Sequence, residues 1–109
     1  MNTNELLEDY KQEAIQHGIC SEEGDSRRGN KAYDKLHKIL KEIKDQGEES
    51  RLIELFNDEN RWVQLWAASH CLEFEEKKSL KKLKQIKKEK LPHISSDAEY
   101  TIMEWKENK

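Results

Sequence analysis

The chain has 109 residues, of which 39% are charged and 34% hydrophobic, and its formal net charge is −3. This length predicts one domain over residues 1–109. Four Gly and one Pro argue against a turn-rich β protein, and no apolar run approaches the length of a membrane span. Residues 1–5 contain no hydrophobic run, so we expect no signal peptide and a cytoplasmic location. Composition therefore predicts a soluble, all-α domain.

Apolar residues recur at helical spacing through the first half of the chain. Steps of three and four predict a first helix over residues 4–20. A broad apolar stripe predicts a second helix over 26–46, and its members are Ala32, Tyr33, Leu36, Ile39, Leu40 and Ile43. Asp25 is suited to cap the second helix, and Gly47 is suited to end it. Residues 48–56 predict a short third helix.

The second half begins with the polar turn 57–60. The segment 61–72 is apolar or small on every side, which is typical of a helix surrounded by others, so we expect it at the centre of the core. A lysine-rich helix is predicted over 75–89. Ser96, with Glu99 three residues later, predicts a capping box for a last helix. The pattern indicates six helices and no strand.

The middle of the chain resembles a HEAT-type helical repeat. Residues 52–56 match the first helix of such a repeat, residues 57–60 its Asp/Asn turn, and residues 62–68 the start of its second helix. Gln64 stands where these repeats often carry Arg, and the usual Arg–Asp contact depends on that Arg. The resemblance implies a HEAT-like, right-handed helical stack.

From residue 5 to residue 106, the chain is also similar to a small bacterial family of proteins, domain-of-unknown-function family 2019. The similarity rests on Gly24, Asp25, Asn30, Tyr33, Gly47, Asp58 through Leu72, Ala98, Glu99, Thr101 and Trp105. It implies an all-α, HEAT-like fold and no activity. Helical proteins of this size also occur among bacterial immunity proteins that neutralise partner toxins, which is an analogy of fold.

Metal and catalytic motifs are weak in this sequence. Cys20 and Cys71 are expected to be free thiols. His17 and Cys20 have the spacing of half a zinc site, but no second half follows at a matching spacing, so we expect no metal. Ser69 and His70 are adjacent, and adjacent helical side chains point apart, which argues against a catalytic pair. We expect no catalytic residue and no cofactor.

Charge is distributed unevenly along the chain. Residues 1–60 hold 15 acids and 9 bases, for a net charge of −6, whereas residues 61–109 hold 8 acids and 11 bases, for +3. We therefore predict a non-enzymatic protein-interaction domain whose acidic surface binds a basic partner, such as a bacterial toxin domain. The predicted binding carboxylates flank helix ends, which should share one edge of a stacked array. They are Glu22, Glu23, Asp25, Asp45, Glu48, Glu49, Asp58 and Glu59.

A nucleic-acid-binding protein is the alternative. Eight lysines lie between residues 77 and 90. Four of them align on one helical stripe: Lys77, Lys81, Lys84 and Lys88. The segment has no Arg and no interleaved aromatic residue for base stacking, which favours a solvated lysine face. An enzyme would need a pocket with convergent titratable groups.

Asp25, Asn30 and Tyr33 leave two interpretations open. They lie near the start of the second predicted helix and would either line a cleft or only cap and pack. Capping is favoured because Asp is a preferred N-cap residue.

Overall fold

The computed structural model describes residues 2–108, which form five α-helices and one 3-10 helix and contain no strand. This confirms the predicted all-α class and the six helices. In chain order the elements are α1 (Thr3–Glu23), α2 (Ser26–Asp45), the 3-10 helix η1 (Glu49–Asn57), α3 (Arg61–His70), α4 (Glu76–Lys88) and α5 (Ile94–Glu107). The chain divides into two compact units, unit 1 (Met1–Leu52) and unit 2 (Ile53–Lys109). The single domain over residues 1–109 stays a prediction.

Helix α1 has a defined cap at each end. The Asn2 side chain accepts a hydrogen bond from the Glu5 backbone N–H at 2.9 Å. At the other end Gly24 adopts φ 73°, and its N–H donates to the Ser21 carbonyl at 3.3 Å. This left-handed conformation favours Gly and ends the helix there. The end predicted from the sequence, residue 20, is three residues too early, because the last turn of α1 is polar and carries no apolar pattern.

Helix α2 packs against α1 as a helical hairpin. Asp25 caps α2, as predicted, by accepting a hydrogen bond from the Arg28 N–H at 3.1 Å. A Cβ atom placed on Gly29 would lie 3.5 Å from Cys20 Cβ, so the two helices approach closely near the turn. At the far end Thr3 Oγ1 donates to Gln46 Oε1 at 2.8 Å. The two helices of the hairpin are therefore in contact at both ends.

Aliphatic and aromatic side chains from both helices form the core of unit 1. The buried members are Leu6, Leu7, Tyr10 and Ala14 from α1, and Ala32, Leu36, Leu40 and Ile43 from α2. Ile39 belongs to the predicted α2 stripe but is only half-buried. The stripe is thus narrower than the sequence suggested.

In unit 2, α3 is the buried central helix that the sequence predicted. Val63, Ala67 and Ala68 are fully buried, whereas Trp66 is half-buried. The Asn60 side chain caps the helix by accepting hydrogen bonds from the Trp62 N–H at 2.8 Å and the Val63 N–H at 3.2 Å. Helix α3 packs on both α4 and α5. It ends at His70, two residues before the predicted end.

Residues 49–57 form a 3-10 helix. In this helix residues three apart lie on the same side, which places Leu52 and Leu55 together, and both are buried. The short third helix is therefore confirmed.

The start of α5 contradicts the predicted capping box. Helix α5 begins at Ile94, which places Ser96 inside its first turn. The neighbouring Ser95 makes the important contacts: its hydroxyl accepts from the Leu91 N–H and donates to the Ile86 carbonyl, both at 2.7 Å. A buried serine therefore joins the end of α4 to the start of α5.

No helix of residues 2–108 is both long enough and apolar enough to cross a bilayer.

Candidate functional site

Unit 2 contains a groove of about 410 Å³ that is lined by the end of η1 and one side of α4. Ile53 and Phe56 supply its apolar surface. Its polar lining consists of Asn57, Lys78, Lys81, Lys82 and Gln85. We call this feature the lysine groove. Three ammonium groups next to apolar side chains can bind an anionic ligand that also carries an apolar group.

Helical spacing explains which lysines line the groove. Lys78, Lys81, Lys82 and Gln85 are three, four and seven residues apart, so they share one face of α4. The predicted stripe of Lys77, Lys81, Lys84 and Lys88 is exposed and follows a different line along the helix. Only Lys81 belongs to both sets. Sequence reasoning missed Lys78 and Lys82, because only the position of η1 shows which side of α4 becomes concave.

Lys82 lies in an electropositive part of the groove. Burial lowers the pKa of its ammonium group below the ordinary value, nearby Arg61 and Lys81 lower it further, and Glu89 acts in the opposite direction. Arg61 is ion-paired with Glu89 and donates to Gln64 Oε1 at 2.7 Å. Burial therefore disfavours the charged form of Lys82 most strongly, and an anionic ligand beside its ammonium group would favour that form.

The predicted carboxylates do not share one edge. Within the hairpin of unit 1, Glu22, Glu23 and Asp25 lie at the turn between α1 and α2. Asp45 and Glu48 lie at the opposite end, where α2 finishes beside the start of α1. Helices of this length separate the two ends by about 30 Å. The expectation of a common edge is wrong here. The connection between α1 and α2 lies at one end of the hairpin, and the connection that follows α2 lies at the other end.

The exposed side of α1 carries more acid than the sequence prediction included. Six of its 21 residues are acidic and only Lys11 is Lys or Arg. Five of the six are exposed: Glu5, Glu8, Asp9, Glu22 and Glu23. We call these five residues the acidic face. The first three were missed because the prediction considered only helix ends and ignored the helix surface that faces away from the α1 core stripe.

Most of the other predicted carboxylates are half-buried or take part in contacts within the fold. Glu48 and Glu49 are half-buried. Asp58 Oδ2 accepts a hydrogen bond from the Asn60 N–H at 3.0 Å, which holds the turn before α3. Glu59 is exposed. Asp25, besides its capping bond, lies 3.7 Å from the Arg28 guanidinium. Apart from Glu59, these residues are therefore less suited to contact a partner than the acidic face.

Asp25, Asn30 and Tyr33 have separate surroundings. Asp25 caps α2, and Asn30 is exposed. The ring of Tyr33 packs on His37, with centroids 4.1 Å apart, and lies 6.4 Å from the His17 ring. Capping is confirmed for Asp25, whereas Tyr33 is 44% exposed and contacts the two histidine rings at the surface.

The turn before α3, which resembles that of HEAT repeats in sequence, is held by a side-chain amide at the position where those repeats often carry Arg. Gln64 is buried, and its Nε2 donates to the Asp58 carbonyl. Its Oε1 accepts from Arg61. The turn before α3 is therefore held through a neutral hydrogen bond to the backbone.

Metal-ligating and nucleophilic groups are scattered in the described part of the chain. No group of three or more His, Cys, Asp or Glu residues within residues 2–108 could hold a metal ion. Cys20 and Cys71 are buried free thiols, as predicted.

Comparison with known proteins shows that the fold occurs in a solved structure. The chain matches the crystal structure of the protein RPA1889 from Rhodopseudomonas palustris CGA009 with a TM-score of 0.90. The match covers 98% of this chain and 90% of that chain, at 22% sequence identity. At this identity the likeness establishes a shared fold and nothing about function. No protein-family model matches the chain, and a search of curated proteins gave no match. Membership of family 2019 therefore stays a prediction.

Proposed function

We propose that the chain is a non-enzymatic protein-interaction domain that binds a basic partner through the acidic face of unit 1. The observation that supports this most directly is the charge of α1, which has five exposed acids and a single Lys. Such a concentration of one sign on a helix surface accelerates encounter with an oppositely charged protein.

The same helix also supplies an apolar contact. Ile19 is 43% exposed, and helical spacing places it beside Glu22 and Glu23, three and four residues later. An apolar side chain next to charged neighbours resembles the core and rim of protein interfaces. Carboxylates would steer the partner, and Ile19 would add burial once the partner is bound.

A toxin that cleaves nucleic acid is our concrete candidate for the partner. Such an enzyme needs a basic cleft to bind its substrate, and an acidic protein surface can cover that cleft. Under this proposal the chain acts as an immunity protein and inhibits by occupying the cleft.

The test is to search the neighbouring genes for a basic toxin domain and to measure its binding to this chain. The double reversal Glu22→Lys and Glu23→Lys should slow association about tenfold or more, because it turns two attractive charges into repulsive ones. Both residues are exposed, so the fold should be retained. Glu48 and Glu49 are poorer choices, because their half-buried side chains would mix stability with binding.

A matched control is available in unit 2. Lys84→Glu with Lys88→Glu also reverses two exposed charges, and this variant should associate no more slowly than the parent protein. Equal slowing in both variants, or a toxin that the chain leaves fully active, would contradict the proposal.

Nucleic-acid binding is a second candidate, favoured by one observation. All four lysines of the predicted stripe, Lys77, Lys81, Lys84 and Lys88, are exposed. The affinity for a duplex bound there should fall steeply as the salt concentration rises, since each neutralised phosphate releases counterions on binding. Reversing the lysines would abolish that binding, whereas reversing Glu22 and Glu23 would strengthen it.

A further inference from the structure

We propose that the lysine groove of unit 2 is a second binding site, which accepts an acidic peptide segment that carries an apolar side chain. This goes beyond the function proposed for unit 1. The site lies in a different unit, has the opposite charge, and would take a partner of the opposite chemistry.

The apolar part of the groove defines one half of the ligand. Phe56 is buried and Ile53 is half-buried, and both contribute to the groove lining. A volume of about 410 Å³ lies within the range of small-ligand pockets and is large enough for one or two side chains. Water against the exposed part of Ile53 gains few hydrogen bonds, so an apolar side chain would displace it favourably.

The charged part of the groove defines the other half. Lys78 and Lys81 are exposed, and Lys82 is half-buried beside them. Carboxylates at helical spacing on a peptide would meet this row of ammonium groups, and the amide of Gln85 lies on the same face of α4. The long lysine stems can pack along apolar surface while their ends reach the carboxylates.

The same features disfavour a nucleic acid in the groove. Single-stranded nucleic acids bind through exposed aromatic side chains on which bases stack. Phe56, the aromatic residue of this lining, is 6% exposed and offers no such platform. The exposed part of Ile53 would then stay uncovered, whereas a Leu or Phe side chain of a peptide would cover it.

The experiment is a fluorescence titration of the whole chain with a peptide of about 14 residues, rich in Glu, with two Leu residues at i and i+4. The groove variant carries Lys78→Gln, Lys81→Gln and Lys82→Gln. We expect it to bind about tenfold more weakly, since three charge contacts are lost together. The matched control carries Lys77→Gln, Lys84→Gln and Lys88→Gln, which removes the same charge from the same helix outside the groove. It should bind within about twofold of the parent chain.

A second peptide, with both Leu residues replaced by Ser, separates the groove from general attraction. It should bind about tenfold more weakly than the Leu peptide to the parent chain. Equal losses in the groove variant and its control, or equal binding of the two peptides, would overturn the proposal. So would tighter binding of a single-stranded oligonucleotide of matched charge that both triple variants weaken alike. Circular dichroism would confirm that each variant is folded.

Discussion

The two units of the chain are stabilised in different ways. Unit 1 consists of two helices of 21 and 20 residues, closed by conventional caps and packed through apolar stripes. Unit 2 contains three shorter α-helices, and buried polar side chains hold the connections between them. Gln64 fixes the turn before α3, and Ser95 joins α4 to α5. A long helix can depend on repeated apolar contacts, whereas short helices need specific hydrogen bonds at their ends.

One helix of each unit carries a strong excess of one charge, although α2 of unit 1 is itself rich in Lys and Arg. In unit 1, α1 carries six acids and only one Lys, whereas α4 of unit 2 carries seven Lys and one Glu. The overall net charge of −3 hides this contrast. Two surfaces of opposite sign on one small protein suit two different partners, which is why the two proposals can be tested independently.

The largest expected effect is on the apolar stripe of unit 1. Leu36→Ala should lower the free energy of unfolding by about 2–5 kcal/mol, because Leu36 is fully buried and its loss leaves a cavity. Ile39→Ala, on the same helix, should have a smaller effect because Ile39 is half-buried. Urea denaturation of both variants measures the difference. Equal losses would contradict the packing that we describe for α2.

The next largest effect is expected for Ser95, the serine that joins α4 to α5. Ser95→Ala should destabilise by about 1–3 kcal/mol, because the Leu91 N–H and the Ile86 carbonyl would both lose a partner. Thermal unfolding of this variant beside Ser96→Ala is the measurement. Ser96 is exposed, so its replacement should be nearly neutral. A capping box at Ser96 would give the reverse ranking.

Helix capping in unit 1 should have an intermediate effect. Asp25→Ala removes the acceptor for the Arg28 N–H and should reduce stability by about 0.5–2 kcal/mol. Asp25→Asn keeps an acceptor at that position and should recover most of the loss. If Asn were no better than Ala, the contribution of Asp25 would be its charge near Arg28, and the capping account would fail.

The smallest effect should be a gain in stability in unit 2. Among the described residues, the hydroxyl of Ser79 is buried and has no hydrogen-bond partner. Ser79→Ala should therefore raise the free energy of unfolding by about 1 kcal/mol, since an unpaired buried hydroxyl is costly and Ala favours the helix. The same substitution thus has opposite signs at Ser79 and at Ser95. A loss of stability at Ser79 would indicate that its hydroxyl is hydrogen-bonded in solution.

The contrast between the units explains what could be predicted from the sequence. Helical periodicity and the residues Asp25 and Gly47 were sufficient for α2, because capping and apolar stripes are local patterns. The role of Ser95 was not predictable, since its hydroxyl acts on a carbonyl nine residues earlier. The helix start was assigned to Ser96 instead, because a Ser–x–x–Glu pattern is visible in sequence and a turn between two helices is not.

The candidate surfaces show the same limit. The helix-end carboxylates were found as clusters, but their separation depends on the hairpin, and Glu5, Glu8 and Asp9 become relevant only when the exposed side of α1 is known. Similarly, the sequence showed that α4 is rich in lysine. It did not show which lysines line a groove, because that depends on contact with η1.

The most direct test of the central claim is the salt dependence of association with a basic nuclease toxin domain, sought among the genes that neighbour this one. Rates would be measured across ionic strength for the parent chain and for Glu22→Gln with Glu23→Gln, which removes two charges without reversing them. We predict that the parent rate falls as salt rises, and that the variant is slower at low salt and approaches the parent at high salt. Rates that are equal for both proteins at every ionic strength would contradict the claim that the acidic face binds the partner.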